Sequence, residues 1–266
     1  MNILAVAGGT GLAGSAVVRE ALARGFSVRS LSRRLPQPST ALDGVDYAVA
    51  DAATGEGLAA ALDGAEILID ALEDRRLRAQ KLFPEAGRRL LAAAHGSGVR
   101  RAVMLSIAQC DELDFGYYRS KVAKEKLYDA APMPSAVVRA AQFHPLLAQI
   151  FAAGHPLRIV PSVRRARLAP IDVRDVARAL LDAAVEEGDG HALRTVSGPE
   201  TRPVRDFAEE WKDIVGSRAR IVGLPAPGGV GRYLSQGRNL APESAFGTIT
   251  FAQWLKESKS ASPDLP

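Results

Sequence analysis

Val6-Ala7-Gly8-Gly9-Thr10-Gly11-Leu12-Ala13-Gly14 is the stretch whose reading decides the fold. Ahead of it lies Asn2 to Val6, an apolar segment of the length of a buried strand. Behind it Val17, Val18, Ala21 and Leu22 fall on one face of a helix. A strand, a glycine turn and a helix in succession form a seat for a dinucleotide pyrophosphate. Gly8 permits the tight turn, Gly11 lets backbone amides approach the phosphates, and Gly14 lets the helix pack close to the strand. Thr10 and Leu12 complete the turn. The helix N-terminus directs free N–H groups and a partial positive charge at the anion.

Outward from this turn, short apolar runs alternate with longer helical patterns, the signature of a parallel sheet covered by helices. Strands are expected near Asn2–Ala7, Ser27–Ser32, Asp46–Ala50, Glu66–Asp70, Arg101–Ser106, Ser135–Arg139 and Leu193–Ser197. Helices are expected near Leu12–Arg24, Gly57–Leu62, Arg76–Gly96, Tyr117–Ala131, Val173–Glu186 and Val204–Val215. Right-handed crossovers stack these into an α/β, doubly wound, Rossmann-like sheet. Beyond about residue 140 prolines punctuate shorter elements. Asp172 is suited to cap the helix at Val173, and Asp175 to face its dipole. Residues 1–258 are read as one nucleotide-binding domain, with the part after residue 140 supplying a small substrate cap. Residues 259–266 are read as a frayed tail.

The second strand ends near Ser32, where the adenosine ribose is read. An NAD site places Asp or Glu there to accept from the 2′-hydroxyl. This chain has Ser32-Arg33-Arg34 instead. Guanidinium groups bind a 2′-phosphate through charge-assisted hydrogen bonds, so NADP(H) is the expected cofactor, with Arg33 favoured over Arg34. The alternative is two solvated arginines at a strand end. Ala71, just past the fourth strand, completes the expected cofactor set.

The G-x-x-G-x-x-G spacing of Gly8, Gly11 and Gly14 resembles the short-chain dehydrogenase/reductase superfamily, in particular its extended and atypical branches, which include NmrA-like proteins. Asp51 resembles the aspartate that flanks the adenine in the extended branch; the alternative is a turn cap. The segment Gly116-Tyr117-Tyr118-Arg119-Ser120-Lys121-Val122-Ala123-Lys124-Glu125 resembles that branch through its Tyr-x-x-Ser-Lys-x-x-x-Glu pattern. Tyr117 and Lys121 are four apart and share a helix face, whereas Tyr118 has Val122 at that offset. A phenol with a pKa of about 10 is a poor acid–base group until a neighbouring ammonium stabilises its phenolate. The same lysine can hydrogen-bond the nicotinamide ribose. The competing reading is a surface helix whose tyrosine packs on the sheet. Ser106 occupies the family's catalytic serine position and is expected to orient a substrate carbonyl, although the connection to Tyr117 is short.

Composition narrows the function. The chain has 266 residues, 47% hydrophobic and 24% charged, which suits a globular fold with a sizeable core. Its net charge of +4 is dispersed, with few aromatics among the arginines, so an anionic cofactor is expected rather than nucleic acid. One cysteine, Cys110, excludes an internal disulfide and suits a reducing cytoplasm. No apolar window spans a membrane, no signal peptide is read, and no metal site is expected. The quaternary state is open between monomer and homodimer.

The implied activity is reduction of a carbonyl, quinone or conjugated acceptor by NADPH. A redox-sensing NADP-binding regulator and an isomerase, epimerase or cyclase are the alternatives. Phe143 and His144, after the sixth strand, are expected to meet a small, mainly apolar or aromatic substrate opposite Pro225–Arg238. Otherwise they are core and helix start.

Overall fold

A computed structural model of the protein describes residues 3–73, 77–226 and 228–261. Its elements run β1 (Ile3–Ala7), α1 (Leu12–Ala23), β2 (Ser27–Ser32), β3 (Val45–Val49), α2 (Leu58–Leu62), β4 (Ala65–Asp70), α3 (Leu77–Gly96), β5 (Arg101–Ile107), α4 (Gly116–Asp129) and β6 (Ser135–Ala140). Next come α5 (His144–Ala152), β7 (Ile159–Val163), β8 (Arg167–Leu168), α6 (Val173–Val185), β9 (His191–Val196) and β10 (Arg202–Pro203). The chain closes with α7 (Val204–Val215), β11 (Arg220–Leu224), α8 (Gly228–Ser235) and α9 (Phe251–Ala261).

The main sheet has the order β3-β2-β1-β4-β5-β6-β9, a doubly wound arrangement whose direction of winding reverses between β1 and β4. The pairings of β2 with β3, β1 with β2, β1 with β4, and β4 with β5 are parallel. The inner strands β5 and β6 read as near-continuous apolar runs because both faces are covered. Register matters most for the site. Ala7 stands beside Leu31 on one side and Asp70 on the other, so the residues after β1, β2 and β4 emerge at one level.

The chain forms two compact units. The first comprises Met1–Ser106, Phe115–Arg139 and Val176–Arg194; the second comprises Ile107–Asp114, Ala140–Asp175 and Thr195–Pro266. The second unit therefore does not simply follow residue 140, because α6 and β9 return the chain to the first. The core of the first unit gathers Leu62, Leu68, Leu90, Met104 and Tyr128 around the sheet. The second is built on Leu147, Phe151, Phe207, Trp211 and Phe251, with Phe207 edge-on to Phe251 at 5.7 Å. There β7 pairs with β11 in parallel and β8 with β10 antiparallel.

At the start of α6 Asp172 accepts the Arg174 N–H at 2.8 Å, the capping bond expected of it. Asp175 does more than face a dipole. Its carboxylate accepts the backbone N–H groups of Thr248 and Ile249 at 3.1 and 3.2 Å and so holds the approach to α9. That helix runs to Ala261, into the segment expected to fray, while residues 262–266, like Arg76 at the expected start of α3, lie outside the described residues.

Candidate active site

Each glycine of the turn has a separate physical reason. Gly8 has φ +79°, where a side chain is strained, and a Cβ there would stand 2.9 Å from the Ala71 carbonyl oxygen. Its N–H donates to Leu31 O at 2.9 Å, which ties the turn to β2. At Gly14 a Cβ would lie 2.1 Å from the Gly8 carbonyl oxygen, so the helix backbone rests directly on the turn. Gly11 caps α1 in extended backbone with no side-chain hydrogen bond to the helix amides. Those amides are the orphan donors of the first helical turn, and Thr10, Gly11 and Leu12 beside them are exposed. Leu12 in particular leaves 54% of its surface uncovered. A close backbone approach, a helix start lacking a side-chain cap and an apolar side chain at its mouth fit a bound dinucleotide pyrophosphate.

At the end of β2, Ser32 Oγ donates to the Arg34 carbonyl at 2.6 Å and shapes the turn. Arg33 and Arg34 are exposed and have no acidic partner among the described residues. Asp51 is half-buried; its Oδ1 accepts the Ala53 N–H at 2.8 Å, so one of its oxygens is committed to its own turn. Ala71 is buried beside Gly8, its N–H donating to Ala7 O at 3.0 Å.

Helix α4 carries the second half of the site on an unusual face. Its buried residues are Ser120, Lys121, Lys124, Glu125 and Tyr128, a polar stripe where a packed helix ordinarily shows apolar groups. Tyr117 and Lys121 meet at Glu73, three residues beyond β4. The Tyr117 hydroxyl donates to Glu73 Oε1, and Lys121 Nζ lies 3.0 Å from Oε2. The Lys121 ammonium also sits 4.7 Å from the Phe83 ring centroid and 5.9 Å from that of Tyr117.

One turn deeper, Lys124 Nζ pairs with Asp70 Oδ2 at 2.6 Å and stands 4.2 Å from the same Phe83 ring. Tyr128 donates to Asp70 at 2.7 Å, and Asp70 accepts the Leu72 N–H at 3.1 Å. Burial pushes the Lys124 pKa down, against the pull of Asp70, and pushes the Tyr128 phenol well up. This lower layer fixes the backbone between Asp70 and Glu73.

Ser106 is buried, with its hydroxyl donated to Glu125. Glu125 is in turn clasped by Arg139, at 3.0 Å from Nε and 2.7 Å from Nη2. The structure thus joins Tyr117 to Lys121 through Glu73 and turns Ser106 toward Glu125. Phe143 is half-buried at the N-cap of α5. His144 is fully buried, its Nε2 3.1 Å from the Ile249 carbonyl oxygen and its ring against Phe251 and Trp254. Desolvation lowers its pKa. That position supports a packing role and offers the ring no access to a substrate. Glu73, Asp70, Lys124, Phe83 and Arg139 were not anticipated from sequence. The detectable signal was the recurrence of ionisable residues at 117, 121, 124, 125 and 128, the spacing of one helix face.

A doubly wound sheet with a glycine turn where the winding reverses defines a Rossmann-like dinucleotide-binding protein. Residues 8–144 match the NAD(P)H-binding family, and the chain belongs to that family. It is 28% identical over 228 residues to the chloroplastic protein High Chlorophyll Fluorescence Phenotype 244 of Arabidopsis thaliana. The alignment covers 83% of this chain and 57% of that protein, so the chain spans little more than half of its relative's length. Among solved structures it is similar to an NADPH-dependent quinone oxidoreductase of Escherichia coli complexed with NADPH, with a TM-score of 0.75, 18% identity, and coverage of 96% of this chain and 99% of that one. It is similar also to a UDP-glucose 4-epimerase of Thermotoga maritima, with a TM-score of 0.75, 17% identity and 96% coverage of both chains. At these identities the likeness is one of fold. Among the described residues no helix is long and apolar enough to cross a membrane, and no cluster of three or more His, Cys, Asp or Glu is placed to hold a metal ion.

Proposed function

We propose that the protein is an NADPH-dependent oxidoreductase that reduces a carbonyl, quinone or conjugated acceptor in a small, mainly apolar or aromatic molecule. One juxtaposition carries this reading. The short segment after β4 touches the glycine turn through Ala71 and, two residues on, gathers Tyr117 and Lys121 at Glu73. That juxtaposition supports reading the two as a cofactor seat and a proton donor within one unit.

When bound, the cofactor supplies a hydride. The chain supplies the rest. The turn at Gly8 and Gly11 admits the pyrophosphate to the first amides of α1, which hold it, and Arg33, assisted by Arg34, holds a 2′-phosphate. Tyr117 turns its hydroxyl from Glu73 to the acceptor oxygen and gives it the phenolic proton, and the Lys121 ammonium stabilises the phenolate left behind. Ser106 orients that oxygen only by exchanging its bond to Glu125 for one to the substrate.

Purified protein should oxidise NADPH in the presence of a quinone or carbonyl panel. Tyr117→Phe should lower kcat by about 10²-fold, the usual worth of a general acid. An unchanged rate removes Tyr117 from the chemistry. Tight NADPH binding without turnover on any acceptor overturns the enzyme reading in favour of a redox-sensing regulator.

A further inference from the structure

Glu73 is the one member of the Tyr117–Lys121 cluster that the reaction above does not use. Both of its oxygens are nonetheless engaged, one by the phenol O–H and the other by the ammonium. Lys121 is 1% exposed and Glu73 42% exposed, so the carboxylate forms the solvent side of the group and the lysine its buried side. One turn deeper, Lys124 and Asp70 are in contact and Tyr128 donates to that same carboxylate. At the phenol itself Glu73 sets an anion against the Lys121 cation.

A lone ammonium beside a phenol draws it toward phenolate. A carboxylate that accepts the phenol's hydrogen bond has the opposite effect, since losing the proton would place two anions together. We propose that Glu73 is a third working member of this group: it offsets part of the pull of Lys121 and keeps Tyr117 in its proton-bearing form until an acceptor takes the proton, so that the residue donates rather than abstracts. The relevance to turnover rests on the reading of Tyr117 as proton donor; the effect on the phenol does not. No equilibrium of the overall reaction changes. What Glu73 sets is the pH range over which the site can give a proton.

The test is a carbon-13 tyrosine ring titration of the full chain, with the Tyr117 resonance assigned by its loss in Tyr117→Phe. The chain has five tyrosines, so the spectrum is tractable. In Glu73→Gln the Tyr117 phenol should ionise at least about one pH unit lower than in the parent, as expected for an uncompensated cation at this range. Glu73→Ala should behave alike, and Glu73→Asp should return most of the shift. The alkaline limb of NADPH oxidation should move down with the phenol. An unmoved Tyr117 titration in both Gln and Ala variants overturns the proposal, even if Tyr117→Phe abolishes turnover. A moved titration with a fully active Tyr117→Phe upholds the role of Glu73 and instead removes Tyr117 as the donor.

Discussion

Replacing Gly14 by alanine sets backbone against backbone. The new methyl carbon would stand 2.1 Å from the Gly8 carbonyl oxygen, 2.7 Å from its carbon and 2.9 Å from Gly9 Cα. Ordinary contact between carbon atoms needs about 3.5 Å, so helix α1 or the turn must retreat by roughly 1 Å. A Cβ has no rotamer by which to escape. Overpacking of this kind costs about 1–3 kcal/mol, and the better helix propensity of alanine returns about 1 kcal/mol. Because the clash here is with backbone on all sides, the net loss should be about 2 kcal/mol, or about 4–8 °C in Tm for a chain of this size. NADPH affinity should fall about tenfold or more, since the first helix amides move away from the phosphates by the worth of one charge-assisted hydrogen bond. Gly11→Ala is the paired control. Its Cβ would meet the same oxygen at 3.3 Å with an ordinary negative φ of −79°. It should melt near the parent Tm yet still bind NADPH more weakly. Differential scanning calorimetry and titration calorimetry read both quantities. A Gly14→Ala protein with parental Tm and parental NADPH affinity refutes the close-approach argument, and so does a Gly11→Ala protein that is the less stable of the two.

Arg33→Asp should narrow or reverse a preference for NADPH over NADH, measured as the ratio of the two dissociation constants; equal affinities in the parent protein would remove the 2′-phosphate assignment. Arg139→Met leaves the Glu125 carboxylate buried without its cation, and urea unfolding should show a loss of about 3–5 kcal/mol, part of it recovered when Glu125→Gln is added. A double variant no better than the single one would count against this pairing as the cause. Burial holds the His144 pKa below the ordinary 6.5, so the unfolded chain takes up its proton first as pH falls. The His144 contribution to stability should be complete above pH 6.5 and decline below it, and the slope of unfolding free energy between pH 7 and 5 should be shallower in His144→Leu. An identical slope would mean that other groups carry the acid sensitivity.

The sheet was legible because its strands are buried by the very pattern that identifies them. The run Ser27–Ser32 is β2 as expected, and β4, β5 and β6 begin or end within a residue of their apolar runs. The second unit is less legible because prolines in a sequence read as interruptions. Pro145 instead sits in the first turn of α5, where its missing N–H costs nothing. Pro161 lies within β7, beside Val222 of a two-stranded parallel pair that has open edges on both sides. Helix α9 is hidden in the sequence for another reason. Phe251 and Leu255 are four apart and buried, yet the polar residues around them resemble a tail until the aromatic core of Phe151, Phe207 and Trp211 is there to receive them.

The site was legible as far as one helix could announce it. Tyr117 and Lys121 can be paired from their spacing alone, but their environment comes from segments remote in sequence. Lys121 meets Glu73, Lys124 meets Asp70, and Glu125 meets Arg139. Gly87 of α3 leaves the room through which the Lys124 stem runs, since a Cβ there would lie 2.9 Å from Lys124 Cγ. A hydrophobicity scan sees only a polar helix, because it cannot count partners supplied by β4, its following loop and β6. Once those partners are in place, the polar stripe becomes a device for fixing rotation. An apolar stripe tolerates a modest turn of the helix about its axis, since one methyl can replace another against the core. A stripe of paired charges does not, because a rotation that parts any pair leaves an ion buried alone at a cost of several kcal/mol. The angular position of Tyr117 is therefore set by the ion pairs below it, and that precision is what the proton-donor role proposed for it requires.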